Sequence, residues 1–157
     1  MLREFLELAK PGDLYVAGLY WPDFRWDARI ASALCSSRDY TRIYQAGRYW
    51  PDSRFTPSLL WSLLQDSPEE SQRELQRFNA YMAGMSWVSR RWPEEASERF
   101  VKMAYPEHLY LAGRDWPDSS WVPAICGALV AAGDEYWIEL AFKHWPLGRI
   151  ALMREGQ

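Results

Sequence analysis

One seven-residue pattern, Tyr-x-Ala-Gly-x-x-Trp, recurs at Tyr15–Trp21, Tyr44–Trp50, Tyr81–Trp87 and Tyr110–Trp116, and a decayed fifth copy ends at Trp145. With Trp21, Trp50, Trp87, Trp116 and Trp145 taken as position zero, the intervals are 29, 37, 29 and 29 residues. Copies spaced in this way bury their apolar faces against one another, because one copy is too small to bury its own. Seven residues before each zero Trp stand Leu14, Ile43, Ala80, Leu109 and Ile138; four and three before it stand Ala-Gly four times and Ala141-Phe142 once. Positions i, i+3, i+4 and i+7 are therefore apolar or small in every copy, which is one face of an α-helix, helix A. The Gly costs helix propensity but lets a neighbouring helix come close.

The register continues downstream. Trp26-Ile30-Leu34, Phe55-Leu59-Leu63, Trp92-Ala96-Phe100 and Trp121-Ile125-Leu129 form a second stripe at i, i+4, i+8, helix B. Between the two lies Trp-Pro-Asp at 21–23, 50–52 and 116–118, and Trp-Pro at 145–146; proline drives the preceding Trp out of the α region and ends helix A. Asp27-Ala28 and Thr56-Pro57 then read as an N-cap and first helical position. The third copy has Val88 in place of proline, which predicts a helix A one turn longer and a helix B starting at Pro93. Its extra residues include Ser67-Pro68-Glu69-Glu70, a capping box, so the insertion is predicted to lengthen helix A by roughly 12 Å and project from the stack. The fifth helix B is predicted near Leu152, which leaves that end of the stack thinly covered.

The expectation is a right-handed α-solenoid of five helix-turn-helix repeats in one domain, 1–157, with a capping helix at 1–11. The repeats fall at about 12–37, 38–66, 67–105, 106–133 and 134–157.

Charge and composition narrow the function. A net charge of −3 lacks the cations that displace phosphate counterions and speaks against nucleic acid as a partner; it is also too weak for a mimic of DNA. Cys35 and Cys126 have no metal-ligand spacing, the first residues show no apolar leader, and no apolar run reaches a membrane span, so a reduced, cytoplasmic protein is expected. The histidines, His108 and His144, have no ligand-like neighbours, and no phosphate loop, His-Glu-x-x-His or nucleophile elbow occurs. No catalytic residue, metal or cofactor is predicted.

Four residues after the zero Trp stand Arg25, Arg54, Arg91, Ser120 and Arg149, and two after it Asp23, Asp52 and Asp118. One reading is structural, with Asp closing the turn and Arg stacking on a ring or pairing with that Asp. The other is an arginine ladder that grips carboxylates or phosphates of an acidic partner. The Tyr column is assigned to packing between copies, with a recognition surface as the minority view, and the eight tryptophans of columns zero and five are assigned to the core, with a stacking platform for sugars or bases as the minority view. Trp61 and Trp137 lie outside the columns and stand as candidate exposed anchors.

Paired short helices carrying Tyr-x-Ala-Gly-x-x-Trp-Pro resemble the degenerate α-helical tandem repeats of bacterial and phage proteins, in the wider company of HEAT-like and tetratricopeptide-like solenoids. Neither the tetratricopeptide pattern nor the ankyrin Thr-Pro-Leu-His is present. The resemblance implies a non-enzymatic scaffold that binds a protein partner. Compact size and missing catalytic motifs suit an immunity protein, an antitoxin or a phage-borne inhibitor that occludes a partner's surface. The expected binding face comprises Arg25, Arg54, Arg91 and Arg149, Trp61, and the insertion's Glu69, Glu70, Arg73, Glu74 and Arg77. Self-association through the thinly covered end is a further expectation. The rivals are a carbohydrate or nucleotide binder using exposed rings, and an enzyme with a carboxylate pair drawn from two repeats.

Overall fold

A computed structural model describes residues 2–21, 24–87, 93–117 and 119–155, with the backbone alone at 24–26 and 119. Among these residues there are eleven α-helices and no β-strand, so the fold is all-helical. No helix among them is long and apolar enough to cross a membrane. In chain order the helices are α1 (Leu2–Leu8), α2 (Pro11–Tyr20), α3 (Phe24–Ser37), α4 (Tyr40–Tyr49), α5 (Thr56–Leu64) and α6 (Glu70–Ser86). Then follow α7 (Glu94–Met103), α8 (Pro106–Asp115), α9 (Val122–Ala132), α10 (Glu135–His144) and α11 (Leu147–Glu155). Short 3-10 turns, Ser53–Phe55 and Ser119–Trp121, precede α5 and α9. The backbone gathers into two compact units, Met1–Ala83 and Gly84–Gln157, divided within α6.

Local chemistry sets most helix limits. Pro11 and Pro106 open α2 and α8, where a missing N–H costs nothing. The Asp13 carboxylate reaches back to the Lys10 N–H at 2.9 Å. Asp39 caps α4 by accepting from Arg42 N at 3.0 Å, and Asp134 caps α10 by accepting from Tyr136 N at 3.1 Å. Gly133, at φ 68°, ends α9 in the left-handed conformation that glycine adopts without strain.

In the first unit α2 packs on α4, α3 on α1 and α5, and each of α2 and α4 on the helix that follows it. The second unit repeats the scheme: α8 on α10, and α9 on both α7 and α11. Helices A thus form one layer and helices B another in each unit. Leu14, Ile43, Ala80 and Leu109 of the helix A stripe are buried, as are Ile30, Leu34, Leu59, Leu63, Ala96, Phe100, Ile125 and Leu129 of the helix B stripe.

Five boundaries differ from the sequence expectation. Helix α3 begins at Phe24, so Asp27 lies in its first turn, where a carboxylate still favours the helix dipole. Helix α5 begins at Thr56 with Phe55 as its N-cap, because the 3-10 turn carries the chain into the helix. Helix α6 ends at Ser86, with Trp87, 1% exposed, outside it; the remainder of the extra turn expected there falls on 88–92, outside the described residues. The insertion does lengthen the third helix A, since α6 has 17 residues where α2, α4, α8 and α10 have 10, but the helix starts at Glu70 and not at Pro68. The residues before it are tied to the helix by the buried Gln76 side chain, which accepts from Ser67 N at 3.0 Å and donates to Gln65 O. Finally α11 begins at Leu147, five residues before the expected start; Ile150 and Met153 are buried, so the fifth helix B covers its neighbour.

Candidate binding cleft

The Trp-Pro step creates a defined chemical problem. In an α-helix the carbonyl of residue i accepts from the N–H of residue i+4. The repeat's Gly and Pro are four apart, as in Gly18 and Pro22 or Gly113 and Pro117, so each Gly carbonyl loses its helical donor. The chain itself turns at the Trp, whose N–H bonds the Ala carbonyl four residues back: Trp21 N to Ala17 O at 2.9 Å, Trp50 N to Ala46 O at 3.0 Å, Trp116 N to Ala112 O at 3.0 Å and Trp145 N to Ala141 O at 2.9 Å.

The glycine itself serves the next copy. A Cβ on Gly18, Gly84 or Gly113 would lie 2.6 Å from Trp50 Nε1, 2.8 Å from Trp116 Nε1 or 2.6 Å from Trp145 Cε2, with other ring atoms nearer still. The Gly is a seat for the following repeat's indole, a more specific role than close helix approach. Two of these rings have a matching polar partner: Trp50 Nε1 donates to Tyr15 O at 2.9 Å, and Trp145 Nε1 to Tyr110 O at 3.0 Å. In a helix the side chain at i+3 covers the carbonyl of residue i, so removing it at Gly18 and Gly113 uncovers the acceptors at Tyr15 and Tyr110. Phe142 replaces the Gly in the fifth copy.

Trp21 has no such seat. Its ring packs on Phe5 of α1, centroids 5.1 Å apart, and stays 43% exposed, whereas Trp116 and Trp145 are each 3% exposed. Trp21 therefore departs from the assignment of the zero tryptophans to the core. The Tyr column is buried at Tyr44, Tyr81 and Tyr110 and half-buried at Tyr15.

The arginine column divides. Arg149, in the first turn of α11, donates from Nη1 to Gly113 O at 2.6 Å and from Nη2 to Trp116 O at 2.8 Å. One guanidinium thus caps the C-terminus of α8 and supplies the donor that Pro117 cannot. Arg54 sits in the 3-10 turn and goes elsewhere. Asp52 accepts from Arg54 N at 3.0 Å and from Arg54 Nε at 2.9 Å through both oxygens, and it also pairs with Nη2. Asp27, reaching across from α3, is 4.0 Å from the same guanidinium. That guanidinium holds the Asp52 carboxyl below the usual carboxylate range. Arg25 and Arg91 lie outside the residues whose side chains are described.

Where Arg54 turns away, a cleft of about 360 Å³ opens. Gly18 and Leu19 at the end of α2 line one side; Trp21, Trp50 and Phe55 supply rings; Asp27, Asp52 and Arg54 supply charge. Of the expected binding face, Arg54 alone among the described residues lines this cleft. Asp27, Trp21 and Gly18 were missed as site residues, although Asp at +2 with Arg at +4 in the second copy, against Leu147 and Arg149 in the fifth, was a readable signal.

The remaining candidates are scattered. Trp61 is half-buried on α5; Trp137 is half-buried against Tyr110 and Tyr136, at 5.3 and 4.9 Å between ring centroids. Arg77 is buried and bonds Asp66 at 3.2 Å, and Arg73 Nε donates to Ser67 O at 3.0 Å, so both hold the insertion against α6. Glu69, Glu70 and Glu74 are exposed; Glu69 borders a polar depression of about 710 Å³ between the starts of α4 and α6. Neither cysteine is poised as a nucleophile, since burial pushes the Cys126 thiol up to about 11 and the Cys35 thiol upward as well. No protein-family model, no curated protein and no solved structure matches the chain.

Proposed function

We propose that the chain is a non-enzymatic protein-binding module, each of its two units a short run of stacked helix pairs of the α-solenoid kind. The observation that carries this is the cleft beside Trp21. It combines exposed ring surface and paired charges on a frame whose equivalent junction in the second unit is sealed by its own arginine. In its narrower form the module occludes a partner's surface, as an immunity protein, an antitoxin or a phage-borne inhibitor does.

The enzyme reading draws on the same cleft, because Asp27 and Asp52 come from two repeats and converge on Arg54. Chemistry between paired carboxylates needs one of them protonated as an acid. Arg54 keeps Asp52 ionised, which favours binding over proton transfer. The test is affinity purification of the wild-type chain from its native source beside Trp21→Ala. One protein recovered in stoichiometric amount with the wild type and lost with the variant is the expected result. A wild-type chain that elutes alone, or a sugar or nucleotide that protects Trp21 from acrylamide quenching with no protein present, overturns it.

A further inference from the structure

We propose that the hollow between the starts of α4 and α6 takes a peptide segment of a partner protein that presents one carboxylate to Arg38 and Arg42; this rests on the protein-binding reading above and adds a surface apart from the cleft. The hollow measures about 710 Å³, and all of its lining belongs to the first unit. One wall is the work of the third repeat. Helices α4 and α6 both end one residue before their zero Trp, so the residues by which α6, at 17, exceeds α4, at 10, all stand at its start. Gln72 and Leu75 are among them, and with Glu69 they form that wall.

The opposite wall carries an arginine where its counterpart is a glycine. Arg38 and Gly133 each stand 17 residues after a zero Trp, close α3 and α9, and precede the Asp that caps the next helix. Both are left-handed, at φ 57° and 68°. Glycine adopts that conformation freely, whereas a side chain makes it costly. Arg38 is the one described residue other than glycine with a positive φ, and no hydrogen bond or ion pair reaches its guanidinium among the described residues. A strained residue that brings an unsatisfied charge to a hollow points to a partner from outside. Arg42, in the first turn of α4, is similar. Its Nη1 donates to Gln45 Oε1 at 2.9 Å, and its guanidinium lies 5.7 Å from the centre of the Tyr15 ring, with no carboxylate. Arg54, Arg77 and Arg114 each hold one.

Charge fixes the class of ligand. Arg38, Arg42, Asp39 and Glu69 line the hollow together, and their formal charges cancel. Asp39 is engaged by the cap of α4, where it accepts from Arg42 N at 3.0 Å. Glu69, on the far wall, makes no ion pair with either arginine. The open guanidinium N–H groups suit a carboxylate. Glu69 opposes a second negative charge, so a monoanionic carboxylate is favoured over a dianionic phosphate or a polyanion. The Gln72 carboxamide, without a partner of its own, offers a donor and an acceptor to the peptide groups beside that carboxylate.

The experiment follows the Nε–H signals of Arg38 and Arg42 in the full chain by nuclear magnetic resonance while acetyl-Ser-Gly-Glu-Gly-Ser-amide is added, to concentrations on the order of 10 mM. Peptides with Gln, Lys or phosphoserine in the central place are compared with it. The Glu peptide is expected to shift both signals saturably, about tenfold tighter than the Gln peptide. The Lys peptide is expected to give no shift, and the phosphoserine peptide to bind no more tightly than Glu. Arg38→Gly separates a binding role from a structural one. Read through the Arg42 signal, it should weaken the Glu peptide about fivefold. It should also raise the melting temperature by about 2 °C, because the left-handed side chain is gone. Glu69→Gln should tighten the Glu peptide about threefold. Equal binding of the Gln peptide, tighter binding of the phosphoserine peptide, a shift from the Lys peptide, or no shift at all overturns the proposal. So does an Arg38→Gly chain with unchanged affinity or a lower melting temperature, or a Glu69→Gln chain that binds less tightly. The two readings fail separately. A partner protein recovered equally by the wild type and by Arg38→Gly leaves the binding module standing and removes the hollow; saturable shifts in a chain that recovers no protein do the reverse.

Discussion

The junction between α2 and α4 and the junction between α8 and α10 are built from the same repeat, yet one is open and the other sealed. Both seat an indole on a glycine and tie its Nε1 to the carbonyl of the preceding Tyr. Their paths diverge at the second residue after that Trp. Asp52 turns its carboxylate onto Arg54 N, fixes a 3-10 turn and keeps the arginine beside it. Leu147 has no acceptor, so α11 starts at once and Arg149 points back to the carbonyls of Gly113 and Trp116. The side chain two places after the Trp separates an arginine that caps the preceding helix A from one held in its own turn. Sealing stabilises; opening makes a site.

The shared features of the two junctions are where substitutions cost most. Glycine in a helix interior is about 0.8 kcal/mol worse than alanine, so an empty seat would make Gly→Ala stabilising. An occupied seat reverses the sign. Gly113→Ala is expected to cost about 3 kcal/mol in chemical denaturation, because the fully enclosed Trp145 has nowhere to move. Gly18→Ala should cost less, about 1 kcal/mol, since Trp50 borders the cleft and tips into it. Gly127→Ala on α9, where a Cβ meets nothing within 4 Å, is the control and should gain about 0.8 kcal/mol. Equal costs at Gly113 and Gly18 would remove the difference in enclosure; a gain at Gly113 would remove the seat.

The second contrast lies in the arginines. Arg149→Met removes two charge-assisted bonds from a half-buried helix end and leaves Gly113 O without a donor, a loss of about 2 kcal/mol. At this chain length that lowers the melting temperature by roughly 4–8 °C. Arg54→Met takes away an exposed pair within one turn, and no resolvable change in melting temperature is expected. Matching losses would mean that Arg54 also caps α2 in solution, which would close the cleft.

How much of this was legible in the residues depends on how local the deciding interaction is. The two stripes are periodic over the whole chain; their inner residues, such as Leu14, Ile43, Leu59, Leu109 and Leu129, fall on α-helices, while the zero tryptophans stand just past the helix ends and Phe55 and Trp121 fall in the 3-10 turns. The column of glycines was visible, but its role was not, because the ring that fills each seat comes from about 30 residues further on. The insertion was legible in part: Ser67-Pro68-Glu69-Glu70 marked the start of a longer helix A to within two residues, and the contact that ties Ser67 to the buried Gln76, nine residues on, was not visible. Arg73 and Arg77 looked like a charged face until their partners at Ser67 and Asp66 placed them inside the fold. The cleft stayed hidden because a column of arginines suggests one fate for all, whereas Asp52 and Leu147 assign two.

That last point has a direct test of smaller amplitude. Leu147 is 85% exposed, so Leu147→Asp disturbs no packing and its effect isolates the choice Arg149 makes. An Asp there stands in the same relation to Arg149 as Asp52 does to Arg54, and it competes for the guanidinium with the two α8 carbonyls. The pair formed would be exposed and worth little, so transferring Arg149 to it should forfeit about 1 kcal/mol of the capping energy. Stability alone does not identify the cause, because an acidic residue at the start of α11 also favours the helix by a few tenths of a kcal/mol. Trp145 supplies the second readout: with Arg149 drawn away, its indole should become more open to acrylamide quenching, as is expected of Trp50 beside the open cleft. Lower stability together with greater quenching would show that the residue two places after the tryptophan sets whether a junction is sealed. Higher stability with unchanged quenching would mean that Arg149 keeps its carbonyls whatever stands at 147, and the open junction would then need another cause than Asp52.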